Sequence, residues 1–181
     1  MCHILLQDIK FFQHLLRVDI DLAEQTRLAG CACGGVLHKA NYSRKPRGCP
    51  IEVRADYAWR FSFCCSLCRK RTTVRSVRFL GRRVYLALAV VLMSARRAGP
   101  TSTQAKLSQV LAIPVRTVMR WRTWWAGSFP ETPLWQASCA RFMPPVDTPS
   151  LPASLIERFA GSAAESMARL LLFLRPLSTA R

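Results

Sequence analysis

The sequence predicts a mainly α chain of 181 residues with one small β module rich in cysteine, and three observations predict it. Apolar residues recur at helical spacing near both ends and again from Val84 onward; cysteines fall into two close groups, at 31–33 and 64–68; prolines and glycines mark the places where one period gives way to another. Half of the residues are apolar, which is enough for a core and argues against global disorder despite a net charge of +17.

Ile4 to Leu16 reads as an amphipathic helix, and Asp21 as the cap of a second helix that passes through Leu22, Gln25 and Leu28 and stops at Gly30. Residues 1–30 are therefore an N-terminal helical segment. From Cys31 to Pro50 the chain turns to Gly, Pro and basic residues with no helical period, which predicts loops and short strands. Tyr57, Trp59, Phe61 and Phe63 then alternate with smaller or polar residues, which places four aromatics on one face of a strand, and Thr72 to Leu80 predicts another strand that Gly81 ends. Residues 31–83 form one basic, strand-poor module on this reading. The helical period returns at Val84 through Leu86, Ala89, Val90 and Met93, and Gly99-Pro100 breaks it; Thr101 and Gln104 supply a capping box for the next helix. That bundle occupies 84–127. Prolines at 130, 133, 144, 145, 149 and 152 make 128–152 a segmented connection, and Leu155 to Leu174, within 153–181, predicts a C-terminal helix.

Cys31-Ala32-Cys33-Gly34-Gly35 and Cys64-Cys65-Ser66-Leu67-Cys68 are two knuckle-like groups, spaced as the two ends of a zinc-ribbon hairpin are spaced. Four thiolates from Cys31, Cys33, Cys65 and Cys68 around one structural zinc ion are the simplest outcome. Cys65-x-x-Cys68 has the usual ligand interval, whereas Cys31-x-Cys33 is one residue short of it, which leaves Cys64, His38 and Cys49 as open substitutes. Buried cysteines without a metal are the plain alternative.

Residues 104–125 fit a helix-turn-helix when Val118 takes the buried position of the second helix. Leu107 and Leu111 then face inward, Ser108 lies where the helices cross, Ala112 makes the turn, Ile113 fills the corner and Trp121 closes the core. Pro114 starts the second helix, where its missing donor costs nothing. With Val118, Trp121 and Trp125 inward, Arg116, Thr117, Arg120 and Thr123 form the outward face, and Arg96, Arg97, Lys106 and Arg122 flank it for phosphate contacts. A helical hairpin that packs only on protein is the competing reading. The fold class is thus mainly α with a small β zinc-ribbon-like module, a three-helix helix-turn-helix bundle and a C-terminal helix.

Between Tyr57 and Pro130 the chain holds 14 Lys or Arg and no Asp or Glu, and supplies 14 of the net +17 charges. So concentrated a field attracts a polyanion, and double-stranded DNA is the partner it predicts. Arg69-Lys70-Arg71 with Arg75, Arg78, Arg82 and Arg83 reads as a second basic strip. Catalysis is not expected: ten acidic residues with none between Asp56 and Glu131 do not make a three-carboxylate metal core, and three histidines at positions 3, 14 and 38 do not surround any tyrosine. The longest apolar run, Val84 to Met93, is too short to span a bilayer. The absence of a secretory signal predicts a cytoplasmic protein, with thiols kept reduced.

The stretches Cys31 to His38, Tyr42 to Gly48, Arg60 to Cys65, Arg69 to Thr73 and Ser76 to Tyr85 resemble a group of short bacterial proteins associated with mobile elements, which join a zinc-ribbon-like front to a helix-turn-helix. The resemblance covers much of 30–125 and implies an accessory, targeting or regulatory role at DNA, without a firm activity. A partial transposase subunit that acts with a separate recombinase or transposase chain is a second expectation. An RNA-binding ribbon that stacks bases on Trp59, Phe61 and Phe63 is a third.

Overall fold

The computed structural model describes residues 2–80, 85–95 and 109–179, with side chains from residue 4 onward. Where two N-terminal helices were expected there is one, α1, over Ile9–Ala29. Asp8 caps it: its backbone is extended and its Oδ1 accepts from the Phe11 amide at 3.1 Å, a contact worth about 1 kcal/mol. The residues ahead, Cys2–Leu6, form a 3-10 turn, and Asp21 lies exposed inside the continuous helix. At the far end Gly30 turns to φ 70° and its amide returns to the Arg27 carbonyl, which stops α1 one residue before Cys31.

The β module consists of two small antiparallel sheets. Strands β1 (Leu37–Lys39), β4 (Ser62–Cys65) and β5 (Arg71–Thr73) lie in the order β1-β4-β5, and β2 (Tyr42–Ser43) pairs with β3 (Trp59–Arg60). The aromatic alternation does not make one face. The chain leaves one sheet for the other at Phe61, which resets the side-chain period. Tyr57 is buried beneath α1 and donates its hydroxyl to the Phe12 carbonyl at 2.7 Å; Trp59 is 52% exposed; Phe63 is buried in a small cluster with Leu37, Cys65 and Val74. The expected strand to Leu80 is also shorter. Beyond Thr73 the chain folds inward to bury Val74, Val77 and Phe79, and its 76–78 backbone and side chains are taken up by α1.

The main core is helical. Every residue of α2 (Ala87–Ser94) is buried, so this helix is the one the others surround. Against it pack α3 (Val115–Ala126), through Val118, Trp121 and Trp125, and α6 (Ala163–Leu174), through Met167, Leu170, Leu171 and Leu174. Residues 128–152 carry the short helix α4 (Pro133–Gln136) and bring their aromatics into the same core: Trp125, Phe129 and Trp135 follow one another at ring separations of 4.6 and 5.2 Å. The C-terminal helix is divided into α5 (Ala153–Ile156) and α6. Gly161, at φ 119°, separates them, and Ser162 with Glu165 forms a complete capping box that starts the second piece. Segments from both ends of the chain therefore share one apolar interior.

Candidate metal centre and nucleic-acid face

The end of α1 and the two β turns bring four sulfurs together. Gly30 ends the helix, Cys31 follows at once, and a tight turn closes when the Gly34 amide bonds the Cys31 carbonyl at 2.8 Å. The second knuckle leaves β4 at Cys65, whose amide bonds the Lys70 carbonyl at 3.1 Å across a turn that carries Arg69 at φ 58°. The knuckles also hold each other. The Ser66 amide donates to the Val36 carbonyl at 2.9 Å, and the Val36 amide donates to Ser66 Oγ at 3.1 Å.

Cys31, Cys33, Cys65 and Cys68 place their Sγ atoms within 4.8 Å of one another. The individual separations are 3.5 Å for Cys31 and Cys33, 3.4 Å for Cys33 and Cys65, and 3.6 Å for Cys31 and Cys68. Four thiolates around a tetrahedral ion at about 2.3 Å would stand about 3.8 Å apart, so this cluster has the size of a closed metal site. The short Cys31-x-Cys33 interval works because a helix end, and not a hairpin, presents Cys31. The open substitutes fall away: Cys64 Sγ points to the Arg69 carbonyl at 3.5 Å, Cys49 is buried in the main core, and His38 lies outside the cluster.

The electrostatics of the thiols fit a cation. The Gly35 amide, and after it the Cys65, Cys68 and Cys31 thiols, hold Cys33 down to about 6. Cys65 is also lowered, first by the Cys68 amide. Cys68 is pushed up to about 12: the Lys70 amide favours its thiolate, but the hydrogen bond with Cys33, then burial and the hydrogen bonds with Cys31 and Cys65, favour the thiol and outweigh that amide. A cation among the sulfurs would favour the thiolate form that metal ligation needs. Gly35 is the tightest point of the cradle, since a Cβ there would lie 2.5 Å from Cys65 Sγ.

Not all of the basic stretch faces solvent. Arg78, expected in the second basic strip, is fully buried, with Nε 2.7 Å from Asp19 Oδ2. Its other nitrogens donate to the Asp56 and Trp59 carbonyls, both at 3.2 Å, and Tyr57, Phe61 and Phe79 pack against its guanidinium. Asp19 also accepts from the Val77 amide at 2.7 Å and from Ser76 Oγ. Arg60 is buried as well and donates to the Ser178 carbonyl and hydroxyl, each at 3.3 Å. Sequence inspection passed over Asp19, because a carboxylate and the arginine it meets 59 residues later share no local pattern.

On α3 the inward residues are those expected: Val118, Trp121 and Trp125 are buried. Ala112 makes the turn ahead of it at φ 51°, Ile113 is buried, and the Tyr85 ring meets Trp121 edge-on at 5.0 Å. Arg116, Arg120 and Thr123 are exposed, and Arg122 is half-buried. Thr117 is a correction. It is buried beside Val118, and its hydroxyl accepts from Arg120 Nη2 at 3.2 Å, so it steadies the Arg120 side chain instead of facing outward. Met119 and Val115, which the sequence reading omitted, are 54% and 58% exposed on that face. Arg82, Arg83, Arg96, Arg97, Lys106, Leu107 and Ser108 lie outside the described residues.

Among the described residues no helix is long and apolar enough to cross a membrane. No family model, curated protein or solved structure matches the chain.

Proposed function

We propose that this protein binds double-stranded DNA without catalysing a reaction on it, through α3, and that one structural zinc ion on Cys31, Cys33, Cys65 and Cys68 holds its β module. The observation that carries the reading is the exposed face of α3: Arg116, Arg120 and Thr123 stand on a helix whose opposite side is anchored by two buried tryptophans, in a 74-residue stretch without a carboxylate. A rigid helix with exposed guanidinium forks suits the major groove, where arginine bonds guanine O6 and N7 at two points; Met119 and Val115 offer apolar contact to thymine methyl groups.

Zinc is the ion the donor set favours, because four soft thiolates with no open position make a closed tetrahedral site. The ion would cross-link the end of α1 to the turn after β4 and would take no part in chemistry. The function is that of an accessory, targeting or regulatory factor of a bacterial mobile element, acting in the cytoplasm. Binding-site selection from a random duplex pool tests the reading. Enrichment of one motif by the native protein, lost in Arg116→Ala/Arg120→Ala with the melting temperature unchanged, is the expected result; equal enrichment by both proteins would remove α3 from recognition.

A further inference from the structure

A second basic surface lies beside the turn that leads into α3, and it is built from residues far from it in sequence. A cleft of about 700 Å³ is lined by Arg44, Lys45, Arg47 and Arg54 from the β module and by Leu111 and Ala112 of that turn. Among the described residues no carboxylate lines it; Glu52 and Asp56, neighbours in sequence, are not among its walls. Four cations around one concavity concentrate positive potential where a chain of phosphates can enter.

The cleft is held in shape by contacts that a solvated loop would not need. The Arg47 backbone bridges to Tyr85 and its carbonyl accepts from the Leu86 amide at 3.0 Å, which ties the basic loop to the entrance of α2. Gly48 stands at φ 84°, and a Cβ there would lie 2.7 Å from Ala89 Cβ and 3.3 Å from Ile113 Cδ1. The loop thus sits directly on α2 and on the corner residue of the turn, with only a glycine's thickness between them. Further along the same loop Cys49 and Val53 are buried, and the 3-10 turn Ile51–Val53 leads straight to Arg54. Lys45, Arg47 and Arg54 are exposed at the rim.

We propose that this cleft grips the phosphodiester backbone of duplex DNA next to the groove that α3 enters; the proposal rests on the DNA-binding reading above. A base-reading helix needs backbone contacts beside it to fix its register, and the cleft supplies them from the β module. The metal-bound module and the helical unit then hold one duplex together.

The test compares the whole native protein with Lys45→Gln/Arg47→Gln/Arg54→Gln and with a charge-matched control, Lys10→Gln/Arg17→Gln/Arg141→Gln, whose residues are exposed away from the cleft. Anisotropy of a labelled duplex is read across a salt series. Each phosphate contact contributes about 0.9 to the slope of log K against log salt, so the cleft variant is expected to lose about 2 to 3 from the slope and on the order of tenfold or more in affinity. The ratio between preferred and scrambled duplex stays unchanged, the control keeps the native slope, and Arg47→Lys/Arg54→Lys retains most of the affinity. A cleft variant that keeps the native slope, or falls no further than the control, overturns the cleft and leaves the α3 reading standing. Native protein that ignores duplex and prefers single-stranded RNA overturns both.

Discussion

Asp19 and Arg78 are both withdrawn from water, and that ion pair fastens the chain after β5 to α1 alongside the buried Val77 and Phe79. Removing two charges from solvent is costly, and the pair offsets that cost because each side-chain nitrogen and oxygen has a hydrogen-bond partner. Asp19 accepts from Ser76, Val77 and Arg78, and the two other nitrogens of Arg78 each donate to a carbonyl. Asp19→Ala leaves the guanidinium buried without a counter-charge, and we expect a loss of about 3–5 kcal/mol, read as a lower urea midpoint. A loss below about 1 kcal/mol would mean that water reaches Arg78. Gly35 gives a second test at this scale. A Cβ at 2.5 Å from Cys65 Sγ has no room, so Gly35→Ala is expected to lower zinc affinity at least tenfold, measured by competition with a chromogenic chelator. Unchanged affinity would show that the knuckle relaxes without moving its sulfurs. Neither residue announces itself in the sequence: Asp19 reads as one more polar position on a helix, and the constraint on Gly35 comes from a strand 30 residues away.

The elements divide by whether their cause is local. The C-terminal stop of α1, the buried α2 and the inward side of α3 were legible, because a glycine after a periodic run and apolar spacing of three and four act within one turn or helix. The four metal-cluster cysteines were legible for the same reason, since ligand pairs are close in sequence. What escaped depends on distant contacts: the kink at Phe61, the early end of β5, and the packing of residues 128–152, whose prolines conceal aromatics that the core takes up. Thr117 escaped because the helix turns 100° per residue and its neighbour Val118 drags it under the edge of the contact. From that placement follows a contrast within α3. Met119→Ala, at an exposed position, is expected to alter base preference with no change in melting temperature, whereas Thr117→Val is expected to leave preference largely intact and act mainly through the orientation of Arg120. Parallel binding-site selections with the two variants would check it, and an unaltered motif in Met119→Ala would take that side chain out of the interface.

At the scale of the whole molecule there are two apolar clusters of very different size, and the four cysteines stand beside the smaller one. The large cluster runs from the first turn to the last and contains Trp121, Trp125 and Trp135; the small one rests on Leu37, Phe63, Cys65 and Val74. Three apolar side chains and a cysteine are little for a sheet to rest on, and a metal ion on the four sulfurs would add its binding free energy to the folding of the module. Leu22 touches both clusters and Asp19 binds the returning chain, so α1 is a strut by which loss of the module could spread, alongside the contacts of Arg47 and Gly48 with α2. Chelation of the zinc-loaded protein is therefore expected to melt the β module first. In hydrogen exchange the Cys65, Ser66 and Val74 amides lose protection, while Val90 and Val118, bonded to Leu86 and Pro114 within the helical unit, keep theirs. Loss of both sets together would mean that the strut transmits fully and the clusters unfold as one; retention of both would mean that the sheet stands without metal.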